Sequence, residues 1–169
     1  VSADWGELYR AIFPDLVRFL HRKVWDLDRA RDLAQEAFVR ALEHEPRKPK
    51  PWLYQVASNL ARDEARTVVR RKRHLALLKS EAEDLQGSVG DSADELDRRE
   101  QWRKVQEALD GLGERDREAL LLWDAGLSYP DIARQTGLAV ASVGTTLARA
   151  RRKLAEVYRE KEGTDVARG

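Results

Sequence analysis

The chain has 169 residues, 42% of them apolar and 36% charged, with a formal net charge of +1 and no cysteine. Lack of cysteine excludes disulfides, thiolate metal sites and thiol redox switching, and His21, His44 and His74 are too widely spaced to form a ligand set together. No metal and no cofactor is expected. No apolar run approaches the roughly 18–20 residues of a membrane span, and Val1–Arg10 lacks the apolar core of a secretory signal, so the expected setting is the cytoplasm, without membrane insertion.

Charge is unevenly distributed: residues 1–74 carry a net +5, residues 75–120 a net −6 and residues 121–169 a net +2. Two basic ends around an acidic middle suit a protein that meets a polyanion at two separated places. The acidic run Glu81–Asp97 has seven carboxylates, two Gly and two Ser among few aliphatics. Such a composition cannot offset the entropy of ordering, which predicts a mobile linker. The expected organisation is all-α: an N-terminal three- or four-helix domain over 1–79, a flexible acidic linker over 80–95, and a C-terminal four-helix helix-turn-helix domain over 96–169.

In chain order, the first predicted helix spans about Trp5–Val24, with Pro14 kinking it or starting a second piece. The second spans about Asp28–His44, with Leu33, Ala34, Ala37, Phe38 and Ala41 on one face. The Pro-rich segment Glu45–Pro51 should not be helical, because each proline disfavours the α region for its predecessor. Pro51 suits the first position of a long third helix reaching about Leu78. On that helix Leu53, Val56, Ala57, Leu60 and Val68 share an apolar arc, while Asn59, Arg62, Arg66, Arg70 and Arg73, preceded by Gln55, share another. Its basic end, Arg70-Arg71-Lys72-Arg73, is an electrostatic footprint for nucleic acid. Trp52 and Tyr54 stand beside Arg47, Lys48 and Lys50, the mixture of aromatics and cations that unstacked bases require; a core position for Trp52 is the competing reading. Asp63-Glu64 has Arg three or four residues away, the pattern of surface ion pairs.

Beyond the acidic run, helices are predicted over Leu96–Leu109 and Glu114–Ala125, separated by Gly111 and Gly113. Ser128-Tyr129-Pro130-Asp131 then reads as a helix start, with Ser128 accepting from the Asp131 amide and Pro130 in the first turn. A short helix carrying Ile132 and Ala133 stops at Thr136-Gly137, and a longer one begins near Val140, which is the helix-turn-helix plan. On the longer helix Val140, Val143, Leu147, Ala150, Leu154 and Val157 form the predicted buried arc. Ser142, Thr145, Thr146, Arg149, Arg152 and Lys153 form the arc expected to meet a major groove and its phosphates. The chain is expected to end in a short tail from Glu162, with no added regulatory domain. Phosphate-binding loops, His-Glu-x-x-His and nucleophile elbows are absent from the sequence, so no catalytic residue and no enzyme activity is expected.

Four segments resemble a known family. Asp32-Leu33-Ala34-Gln35-Glu36-Ala37-Phe38 resembles the D-x-x-Q-E-x-F signature of bacterial sigma factors. Trp52 to Asp63 resembles their W-L-x-x-I-A-x-N-x-x-x-D segment. Leu112 to Arg117, followed by Gly126 to Ala133, resembles the start of their −35 reader, and Leu147-Ala148-Arg149-Ala150-Arg151 resembles its recognition-helix tail. Together, in this order, they resemble the two-domain extracytoplasmic-function sigma factors, which retain only sigma regions 2 and 4. The resemblance implies a transcription-initiation factor that binds the clamp and flap of core RNA polymerase. It also implies contacts with single- and double-stranded promoter DNA, an anti-sigma partner, and an acidic linker threading the polymerase channels. It assigns core binding to Asp32, Gln35, Glu36 and Arg40. Taken with the helix arcs above, the expected −10 recognition and melting residues are Arg47, Lys48, Lys50, Trp52, Asn59, Arg62, Arg66 and Arg70, and the expected −35 binding residues are Arg117, Ser142, Thr145, Thr146, Arg149, Arg152 and Lys153.

Four positions depart from the family pattern. Gly113 stands where Pro is usual, Pro130 where an acidic residue or Ala is common, and Gly144 and Thr146 where many relatives carry Lys and Arg. Two competing readings use fewer of these features. A stand-alone helix-turn-helix regulator, dimeric on a palindrome, leaves Asp32–Phe38 and the −10-like segment unexplained. A purely protein-binding role predicts no salt-dependent DNA affinity.

Overall fold

A computed structural model describes residues 3–78 and 92–166 as seven α-helices in two compact units, with no strand among the described residues. The acidic segment expected as a linker lies, from residue 80 through residue 91, outside the described residues.

The first unit is built from α1 (Trp5–Val24), α2 (Leu27–His44) and α3 (Pro49–Leu78). Local chemistry sets their ends. Asp4 accepts from the amides of Gly6 and Glu7 at 3.0 and 3.2 Å, and Asp26 accepts from the Arg29 amide at 3.1 Å. Each bond satisfies an amide that a helix start otherwise leaves open. Pro14 does not divide α1, which stays one helix through Val24. α3 begins at Pro49, two residues before the predicted start. Pro49 and Pro51 both fall in its first turn, where the missing amides cost nothing.

α1 packs on both α2 and α3, and α2 also packs on α3. Ala30, Ala34, Ala37 and Ala41 are fully buried along α2, and these small side chains let the helices approach closely around Leu16, Leu20 and Leu53. Tyr54 belongs to this core. It is fully buried and meets Phe19 edge-on at a centroid distance of 5.0 Å. Val68 does not: α3 is exposed at every position from Ala65 to Leu77.

The second unit comprises α4 (Ala93–Asp110), α5 (Glu114–Asp124), α6 (Tyr129–Thr136) and α7 (Val140–Val166). α4 starts three residues before the predicted Leu96, and α7 runs past the predicted end at Glu162. Leu109, Leu112, Leu121, Leu122, Ile132, Val143, Leu147 and Ala150 form the core. Gly137 closes α6 at φ 73°, left-handed geometry that favours glycine and turns the chain into α7. Gly111 has a different reason: a Cβ there would lie 3.3 Å from a Val157 methyl, so its small size lets α7 close on the end of α4.

Candidate nucleic-acid interface

The α6–turn–α7 segment has the predicted local chemistry. The Asp131 amide donates to Ser128 Oγ at 3.3 Å, while the Ser128 hydroxyl donates to Asp131 Oδ2 at 2.9 Å. Ile132 and Ala133 anchor α6 against α7, whose buried stripe is Val143, Thr146, Leu147 and Ala150. Two side chains lie on the opposite side of α7 from the one expected. Thr146, expected on the DNA-facing arc, is 4% exposed. It lies three residues after Val143 and one before Leu147, so the helical repeat turns it into the core. Val140, expected in the core, is 50% exposed.

Ala141, Ser142, Thr145, Ala148, Arg149, Arg152 and Lys153 are all exposed on α7. Arg149 is held from outside its own helix. Its Nε donates to Asp116 Oδ2 at 3.2 Å and its Nη2 to Asp116 Oδ1 at 2.8 Å. The hydrogen bonds and charge of Asp116 raise the Arg149 pKa further. Arg151 lies over the Trp123 ring, 4.3 Å from its centroid, and Arg117, on α5, pairs with Asp110 at 3.3 Å. Gly144 faces Tyr129, whose ring would lie 3.6 Å from a Cβ at that position.

In the first unit, Trp52 is half-buried at the start of α3 and tilts against His44 at 5.6 Å. Arg47 and Lys48 are exposed and Lys50 half-buried around it. Gln55, Asn59, Arg62, Arg66, Arg70 and Arg73 are all exposed on the shared arc of α3, and the Arg62 guanidinium donates to the Asn59 side-chain oxygen Oδ1 at 3.5 Å. Tyr54, buried against Phe19, is not available to a base.

Asp32, Gln35, Glu36 and Arg40 are exposed along α2, with Arg40 bonded to Glu36 at 2.6 Å and Asp32 near Arg29 at 3.4 Å. Beside them an open apolar groove of about 310 Å³ is lined by Trp5, Tyr9, Gln35, Phe38, Val39 and Leu42. The sequence reading omitted the contributions of Trp5 and Tyr9 from α1. It also misjudged Glu64, which is no local surface pair but accepts two 2.8 Å bonds from Arg29, joining α2 to α3. Asp116 was missed for the same reason, as its partner lies 33 residues away.

A helix-turn-helix unit, joined in one chain to a unit with a long basic helix face, is the architecture of a DNA-binding protein. Comparison with known proteins gives the family. Residues 8–73 match the model of sigma-70 region 2, and residues 102–154 match that of sigma-70 region 4. The chain is 32% identical to the ECF RNA polymerase sigma factor SigM of Bacillus subtilis, over 90% of this chain and 93% of that one. It is 35% identical to the ECF RNA polymerase sigma factor EcfG of Rhodopseudomonas palustris, over 85% and 79% respectively. The sigma factor RpoE of Bartonella quintana, solved with the anti-sigma factor NepR, shares the fold with a TM-score of 0.67. That match has 23% identity and covers 92% of this chain and 97% of the other. The chain belongs to the extracytoplasmic-function sigma factors of the sigma-70 family. It is a transcription-initiation factor, working with core RNA polymerase on promoter DNA. None of the described helices is long and apolar enough to cross a membrane.

Proposed function

We propose that the two units divide promoter recognition between them, the first spanning residues 1–79 and the second 96–169, with residues 80–95 as the acidic connection. α2 docks on the polymerase clamp through Asp32, Gln35, Glu36 and Arg40. The α3 arc of Asn59, Arg62, Arg66 and Arg70 holds the separated −10 strand, with Trp52 as a stacking platform and Arg47, Lys48 and Lys50 at its phosphates. α7 enters the −35 major groove with Ser142, Thr145 and Arg149, while Arg152, Lys153 and Arg117 meet the backbone. Thr146 has no part in this, being buried. The protein acts in the cytoplasm without catalysing a reaction of its own.

The observation that carries this reading is the face of α2, where Gln35 lines an uncovered apolar groove with Val39 and Leu42 and its neighbour Glu36 is exposed. A stand-alone regulator has no use for that surface. An anti-sigma factor is the natural competitor for it, in keeping with the Bartonella quintana sigma factor solved with the anti-sigma factor NepR. The test is co-purification with core polymerase, where Gln35→Ala combined with Glu36→Lys should abolish binding while helical circular dichroism is retained. Unchanged co-purification would remove the docking assignment.

A further inference from the structure

The bond between Arg149 and Asp116 leaves one edge of a guanidinium fixed and the other open. Nε and Nη2 both donate to the Asp116 carboxylate, at 3.2 and 2.8 Å, which occupies the side-on fork of the guanidinium. The end-on fork, one N–H each from Nη1 and Nη2, is left facing away from Asp116. The Arg149 side chain is 61% exposed whereas Asp116 is 17% exposed, so the carboxylate forms the inner support and the guanidinium the outer surface. Arg149 also shares the exposed face of α7 with Ser142 and Thr145, on successive turns.

We propose that Asp116 is a positioning residue for base reading, holding Arg149 so that its end-on fork takes the O6/N7 edge of one guanine in the −35 duplex. This rests on the reading of α7 as the −35 helix. A paired donor fork matches both guanine and phosphate in shape, but charge separates the two. The Arg149–Asp116 pair is neutral as a whole, and a phosphate brought to its outer edge approaches the carboxylate as well. Guanine presents two neutral acceptors and meets no such repulsion. The cations suited to phosphate are Arg152 and Lys153, further along the exposed face, for which no carboxylate partner is seen among the described residues. Prior anchoring also removes rotamer freedom that an unsupported arginine would lose on binding. Since Gly144 and buried Thr146 supply no cation to the first turns of α7, this single supported arginine carries the guanine preference of the helix.

The experiment uses the full chain with core RNA polymerase, selecting bound sequences from promoter-length duplexes randomised over the −35 hexamer. The wild type should enrich guanine at one position. Arg149→Ala, Asp116→Ala and Asp116→Asn should each reduce that preference by between about 5-fold and about 150-fold, the range one bidentate contact provides. Asp116→Glu should restore part of it. Arg152→Ala should weaken binding to all sequences alike and leave the preference in place. Placing 7-deazaguanine, which lacks N7, at the enriched position should weaken the wild type and leave Arg149→Ala and Asp116→Ala unaffected, a pattern that general destabilisation of α5 cannot produce. Guanine preference surviving in both Asp116→Ala and Asp116→Asn overturns the proposal. So does tighter binding to every sequence with a steeper salt dependence, which would make Asp116 a competitor of phosphate. A wild-type holoenzyme that initiates and enriches a hexamer without guanine also overturns it. One that enriches no sequence at all overturns the −35 reading beneath it.

Discussion

Thr146 illustrates how narrow the margin is between a base-reading and a core position on a long amphipathic helix. Its neighbour Thr145 is exposed and it is not, because one residue is 100° of helix rotation and Thr146 falls between Val143 and Ala150 on the buried stripe. Thr146→Arg should therefore cost on the order of 3 kcal/mol through overpacking and charge burial. Thermal unfolding followed by circular dichroism checks this; a melting curve superimposable on the wild type would show that Thr146 is not packed as described. Glu64 provides a second residue-scale test. Hydrogen bonding by Arg29 holds its pKa below the ordinary glutamate value. A lowered folded-state pKa stabilises the fold above the unfolded-state pKa, and that stabilisation is lost as pH falls through the folded value. Glu64→Gln should cost about 1 kcal/mol at neutral pH, discounted because the Arg29 side chain is 43% exposed. The difference should shrink on acidification, and a cost independent of pH would contradict the linkage.

Most helices and the Ser128 cap were legible in the sequence because their causes are local, whereas the Asp4 and Asp26 caps came only with the structure. Asp131 follows Ser128 by three residues, and their two bonds appear as the spacing implies. The polar arc of α3 was equally legible, all of its members lying on one helix. Contacts between helices were not. Arg29 meets Glu64 across 35 residues and Arg149 meets Asp116 across 33, and no spacing rule links them before the helices are packed. Tyr54 was misplaced because an aromatic among cations suits a stacking site and a core equally well; its register beside Leu53, against Phe19, decides for the core. On α3, Asn59→Ala or Arg62→Ala should slow open-complex formation on duplex promoter several-fold, with a smaller loss on a template already mismatched at the −10 element. Equal losses on both templates would argue against a role in melting. On α7, Arg152→Ala and Lys153→Ala should each reduce the slope of log affinity against log salt by about 0.9, as measured by fluorescence anisotropy on promoter duplex. An unchanged slope would place neither side chain at a phosphate.

At the scale of the molecule, the opposing charges of the two ends and the middle have a mechanical sense. On the proposed division of promoter recognition each helical unit alone offers a modest DNA surface, and tethering both to polymerase would make the second contact effectively intramolecular. Free chain should therefore bind duplex promoter weakly, and the complex with core should bind it far more tightly. A dimeric regulator predicts the reverse, strong duplex binding with no polymerase present. The most direct measurement combines gel filtration with run-off transcription, using purified chain, core RNA polymerase and a library of genomic promoter fragments. The expected result is a one-to-one complex that starts transcripts from a defined subset of fragments on which core alone is silent. A chain that forms no complex with core, yet binds palindromic duplex as a dimer, would contradict it.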